Sequence, residues 1–263
     1  MKSFLSIIKY FNKFFKYFLK KKILSFFLIL ILIITALIIN FFTSLPDVRN
    51  LITGIPDDTS MMVQRIEENK RIGKTLKIRR KWSPLPMIPT LLKRTVIVSE
   101  DIDFYNHKGI DYFELKESIK KNLTTGKKSR GGSTITQQLA KNIYLSTEKS
   151  YYRKIREFFI AGRLEKHLSK DRILEIYLNV IEFGHGIFGV GAASEFFFHK
   201  SVDQLENHEI IRLIAVIPKP LRVTPSSDSG YMMWRANLLI DRLVRSRSIT
   251  INEYDVIKTY FSE

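Results

Sequence analysis

"YYRKIREFFIAGRLEKHLSKDRILEIYLNV" occupies positions 151–180. Ile155, Phe158, Phe159 and Gly162 recur at spacings of three and four, and Ile173, Leu174, Tyr177 and Leu178 repeat the habit. That is the period of an α-helix, not of a strand. The same pattern returns in "NHEIIRLIAVI" at 207–217 and "WRANLLIDRLVRS" at 234–246. Alternating strand patterns are scarce and no internal repeat is present, so the fold is predicted to be mainly α.

At 263 residues the chain has room for one sizeable domain plus extras. It has no cysteine, which removes disulfides, thiolate metal sites and cysteine catalysis. Lys2, Lys9, Lys13, Lys16, Lys20, Lys21 and Lys22 precede "ILSFFLILILIITALIINFF" at 23–42, a run without a charge. About twenty apolar residues match the hydrocarbon core of a bilayer. The run is longer than a signal-peptide core and lacks a small-residue cleavage site. It is therefore expected to stay as a transmembrane signal anchor. The lysines place residues 1–22 in the cytoplasm as a basic tail and send the rest across the inner (cytoplasmic) membrane, to the periplasmic or extracellular side. The formal charge of +17 would ordinarily suggest nucleic acid. An exported domain does not meet it, so no nucleic-acid partner is expected, and anionic headgroups or pyrophosphate take its place. Prolines at 46 and 56 mark 43–57 as a juxtamembrane linker, 58–245 as the main domain, and 246–263 as a helical tail.

Three familiar patterns fail their context. "GKKSRGGS" at 126–133 has glycine where a phosphate loop needs lysine, and "GHGIFG" at 184–189 follows an amphipathic helix with no βαβ unit. "SIKK" at 118–121 has no K-T-G partner, so no penicillin-type transpeptidase is expected.

Other stretches carry chemistry. "EDIDFYNHKG" at 100–109 gathers Glu100, Asp101 and Asp103 beside Phe104, Tyr105 and His107 in an otherwise basic chain. In "RGGSTITQQLAKN" at 130–142, Gly131 and Gly132 form a turn, and Ser133 or Thr134 can cap a helix. Thr134 and Gln137 have capping-box spacing. Free N–H groups at that helix start favour an anion, and Gln138, Lys141 and Asn142 add a cation and two amides; an ordinary capped helix accounts for the motif equally well when it is taken alone. "RKIREFFIAGRLE" at 153–165 sets Arg153 and Glu157 at i, i+4, which alone is a surface ion pair.

Together with "KDRILEIYLNVIEFGHGIFGVGAASEFFFHK" at 170–200, these stretches resemble in order and spacing the motifs of glycosyltransferase family 51, over roughly 58–245. Within it, the chain is similar to the monofunctional biosynthetic peptidoglycan transglycosylases. The resemblance implies a lysozyme-like bilobal fold whose second lobe, a membrane-associated jaw beginning at 110–130, touches the bilayer. It implies polymerisation of lipid II into β-1,4-linked glycan strands, with lipid II, the nascent strand and the bilayer as partners and cell-wall synthesis or division proteins as recruiters. Glu100 and Glu157 become the catalytic carboxylates. Asp101, Phe104, His107, Gly132, Ser133, Thr134, Gln138, Lys141, Asn142 and Arg153 become substrate-binding, with a packed aromatic and a structural histidine equally open at Phe104 and His107. No tightly bound cofactor is expected, although a divalent cation, Mg²⁺ or Mn²⁺, suits a pyrophosphate site and its ligands are unknown.

A sugar hydroxyl does not ionise at neutral pH, so a placed carboxylate must take its proton as the bond forms. Pyrophosphate leaves as an anion and needs cations. Two features depart from the family pattern: Lys219 in "IPKP" stands where asparagine is common, and Ile102 and Asp103 replace a polar or basic pair. A lytic transglycosylase or lysozyme-like muramidase would also use a glutamate in a helical cleft, but has no need of an anchor or an anion cradle. An anchored basic binding protein would explain the charge but not the carboxylates.

Overall fold

The computed structural model describes residues 2–125, 132–148 and 150–262, by backbone alone at 2–19, 119, 121–123 and 125. It divides into two compact units, Met1–Pro46 and Asp47–Glu263. The first is one helix, α1 (Lys2–Thr43), whose Lys20–Thr43 portion is long and apolar enough to cross a membrane. The span read from the sequence, 23–42, lies within it.

The second unit is mainly helical, as the periodicity predicts. In chain order it holds α2 (Ser60–Arg71), α3 (Thr90–Glu100), α4 (Tyr112–Thr125), α5 (Ile135–Tyr144), α6 (Tyr151–His167) and α7 (Lys170–Val180). These are followed by α8 (Val190–Phe198), α9 (Asn207–Ala215), α10 (Gly230–Arg245) and α11 (Ile251–Thr259). Helix α5 is central: it packs on α2, α6 and α7, while α3 packs on α9 and α10. Its Ile135, Leu139 and Ala140 are fully buried, as are Ile173, Leu174, Tyr177 and Leu178 of α7.

Helix α6 forms where its sequence demands it, but its apolar stripe does not point inward. Ile155 and Phe159 are exposed, and the buried face is Glu157, Ile160, Ala161 and Leu164. A carboxylate can occupy that inner face because it carries its own cations, described below.

Within the segment read as a juxtamembrane linker, Val48 and Leu51 are buried, and the Arg172 guanidinium donates to the carbonyls of Leu51 (2.9 Å) and Gly54 (2.6 Å). The helical tail read at 246–263 holds α11, which packs on α10 and buries Ile257, with Phe261 buried just beyond it.

"GHGIFG" is a hairpin. Strand β2 (Glu182–Gly184) pairs antiparallel with β3 (Ile187–Phe188), which pairs in parallel with β1 (Arg79–Arg80). Gly186 turns it at φ +75°, where a Cβ would come within 2.8 Å of the Lys77 carbonyl. The hairpin is held to α2 by a buried ion pair, Arg65 Nη2 to Glu182 Oε2 at 2.8 Å. Asn179 closes the other side, accepting from Ser83 N (2.7 Å) and donating to Ser83 O (2.9 Å).

Candidate active site

Glu100 is the last residue of α3, and three elements meet at its carboxylate. The Ser99 hydroxyl donates to Oε1 at 2.7 Å, and Gln138 Nε2, from α5, donates to Oε2 at 3.1 Å. From α10, Arg235 Nη2 donates to Ser99 Oγ at 2.8 Å and lies 3.6 Å from Glu100 Oε1. The buried Tyr177 hydroxyl donates to Gln138 Oε1 at 3.0 Å and so sets which end of that amide faces Glu100. The Glu100 side chain keeps 13% of its surface open, enough to receive a proton from a ligand.

The neighbouring acids do different work. Asp101 is buried, accepting from His107 Nε2 (2.8 Å) and from the backbone N–H of Ile135 (2.9 Å) at the start of α5. Burial raises its pKa, against the pull of those two donors. His107 Nδ1 accepts from Gly109 N at 3.1 Å, so its proton resides on Nε2. Gly109 turns this loop at φ +87°, with room for a Cβ denied by Glu165 Cγ at 2.9 Å. Asp103 accepts from Asn106 Nδ2 at 2.6 Å within the loop. Phe104 is wholly buried under the Lys170 ammonium, 4.5 Å from its ring. Asp101 and Phe104 are buried, while His107 is half-buried and lines a cavity with Tyr105, Glu165 and Lys170.

The start of α5 shows the capping box. Thr134 Oγ1 accepts from Gln137 N and Gln137 Oε1 accepts from Thr134 N, each at 3.1 Å, a motif worth about 1 kcal/mol. Since Asp101 takes the Ile135 N–H, the anion at this helix start is the protein's own. Thr134 Oγ1 also donates to Gly109 O at 2.7 Å, locking the two motifs together. Gly132 lies against Ser118 of α4, and Ser133 Oγ accepts from Lys154 Nζ at 3.0 Å. Arg130 and Gly131 fall outside the described residues, as do 126–129 of the expected jaw.

Glu157, on the buried face of α6, is bonded by Arg153 Nη1 at 2.7 Å and by Lys154 Nζ. This i, i+4 pair is therefore not a surface feature. Lys141 lies half-buried one turn beyond Gln138, within the fields of Glu157 and Glu100, and its ammonium makes no hydrogen bond or ion pair among the described residues. Burial lowers its pKa from 10.5. Asn142 is buried beside it on α5. The result is a carboxylate with open surface on one side and a cationic frame with one uncommitted ammonium on the other. No three His, Asp or Glu side chains come together among the described residues, and Glu157 already carries two cations. Among the described residues the protein groups do not form a cage for Mg²⁺ or Mn²⁺.

Residues 68–244 match the family model described as Transglycosylase. The chain belongs to the transglycosylase family. It is 38% identical over 220 residues to a biosynthetic peptidoglycan transglycosylase of Herminiimonas arsenicoxydans, covering 84% of this chain and 95% of that protein. It is 39% identical over 188 residues to the protein of the same name from Janthinobacterium sp., covering 72% and 81%. Sequence reasoning about this transglycosylase missed Ser99, Tyr177 and Arg235. One signal for Arg235 was legible: it interrupts the buried stripe Met232, Ala236, Leu239, Ile240 and Leu243 of α10, where an arginine needs a purpose.

Proposed function

We propose that this peptidoglycan glycosyltransferase joins lipid II units by single displacement, with Glu100 as the general base. The supporting observation is the pairing of Glu100, held by Ser99, Gln138 and Arg235, with the uncommitted Lys141 ammonium and the Arg153–Lys154–Glu157 cluster across α5. The acceptor's 4-hydroxyl gives its proton to Glu100 as its oxygen bonds to C1 of the donor sugar. The C1–O bond to undecaprenyl pyrophosphate breaks, and its electron pair leaves with the pyrophosphate. Lys141, with Arg153 and Lys154, offsets that charge, so no separate acid is required. Attack on the face opposite the leaving group inverts C1 and turns an α-linked donor into a β-1,4 linkage. Glu157 keeps the two α6 cations aimed and from repelling each other. Purified protein given labelled lipid II should yield polymer and leave isolated peptidoglycan intact; release of fragments from peptidoglycan would favour the lytic alternative.

The same reading places the catalytic unit on the outer side of the inner membrane, anchored by α1, where lipid-linked substrates arrive. Exposed Tyr112 and Phe113 open α4, where the jaw is expected to meet the bilayer. The juxtamembrane lysines give the orientation. A reporter fused after Glu263 should be active only outside the cytoplasm, and cytoplasmic activity would reverse the topology.

A further inference from the structure

Helix α10 carries more than Arg235 to the site. Trp234, next to it in sequence, is 58% exposed although it is among the largest side chains in the chain. Tyr231, four residues before Arg235, shares that residue's side of the helix about 6 Å up the axis. The Tyr231 and Trp234 rings lie 5.7 Å apart at 48°, forming a tilted apolar shelf with an open edge. Lys219, the residue that departs from the family's usual asparagine, sets its ammonium 3.9 Å from the centre of the Tyr231 ring. Tyr231 also lies within electrostatic reach of Arg235, whose Nη2 is 3.6 Å from Glu100.

The flank matters. Helices α5 and α6 hold the pyrophosphate cations, and α6 packs on α5; α10 packs on α3 and α9. Glu100, at the end of α3, therefore has the cationic frame on one side and the α10 shelf on the other. In a displacement the leaving group and the attacking hydroxyl lie on opposite sides of C1. The hydroxyl's own sugar must then extend along the α10 side. Pyranose rings present flat C–H faces that pack on aromatic rings, and a cation at the rim suits a sugar that carries an anionic substituent.

We propose that Tyr231 and Trp234 are a stacking platform for the acceptor saccharide, with the Lys219 ammonium packed on the Tyr231 ring. This rests on the displacement reading above. The chain has two tryptophans, so a Trp82→Phe background leaves Trp234 as the sole indole reporter. Titration with chitobiose, a β-1,4-linked N-acetylglucosamine disaccharide, should change its emission saturably. In the full chain, Trp234→Ala should raise KM for lipid II by ~3- to 10-fold, the scale of one aromatic stacking contact. Affinity for a phosphoglycolipid inhibitor, which takes the cationic flank, should stay unchanged, and Trp234→Phe should restore KM. An unchanged KM in Trp234→Ala, or an equal loss of inhibitor affinity, overturns the platform. If the wild-type chain fails to polymerise lipid II, the displacement reading falls instead, and the chitobiose titration still decides the platform because it needs no turnover.

Discussion

Glu100→Gln should lower the rate of lipid II polymerisation by ~100-fold or more, the scale on which a positioned base contributes, while a phosphoglycolipid inhibitor still binds. The amide keeps the volume of the side chain and still offers an oxygen to the Ser99 hydroxyl. What it loses is the capacity to take a proton from the acceptor hydroxyl. Inhibitor binding should survive because the cations proposed to hold a phosphate, Lys141 of α5 and Arg153 and Lys154 of α6, all remain, and among the described residues none of them hydrogen-bonds to Glu100. The measurement is initial polymerisation rate against inhibitor affinity for the two proteins. A near wild-type rate would mean that Glu100 is structural and that its bonds to Ser99 and Gln138 are what it is there for.

Lys141→Ala should act on both quantities at once. Loss of a charge-assisted contact to the leaving pyrophosphate is expected to lower kcat/KM by ~10- to 100-fold, with inhibitor affinity falling in parallel. Stability should move the other way or stay level, because the buried ammonium has no ion-pair partner among the described residues and its burial costs free energy. The pH dependence follows from the same burial. With the folded pKa held below 10.5, the cost is present while the ammonium is charged and is relieved as pH rises through the folded pKa. Between that pKa and 10.5 the unfolded chain binds more protons, so this group's contribution to stability rises with pH. Activity runs opposite, declining over that interval as the ammonium neutralises. Lys141→Arg, whose charge persists, should flatten the alkaline decline; a variant that keeps the wild-type alkaline limb would show that another group titrates there.

Much of this was legible before any fold. A helix at 151–167 follows from the 3.6-residue period, the Thr134–Gln137 capping box from a spacing of three, the Arg153–Glu157 pair from a spacing of four, and the apolar span from its length. Each depends on residues within a few turns of one another, so local geometry suffices. The motif order was likewise enough to reach the family, because four short patterns in register seldom coincide.

Burial and long-range contact are another matter, since they depend on which distant segment arrives. The spacing of Ile155 and Phe159 could not say that α6 would turn Glu157 inward and leave those apolar side chains outside. Nor could it say that the chain at Leu51 and Gly54 would be held by Arg172, over a hundred residues away. Nor could spacing say that Asp101, read as substrate-binding, would accept from the Ile135 N–H at the start of α5. Arg235 reaches Ser99 across a separation of 136 residues, a contact that exists only because α3 and α10 pack side by side. The sequence by itself determined which residues could do the chemistry and which helices carry them. Tertiary packing alone decided how much of each carboxylate stays open, because the segments that arrive set its cover: Glu100 keeps 13% of its side-chain surface beside its donors Ser99 and Gln138, whereas Asp101, closed in by His107 and the start of α5, keeps 2%.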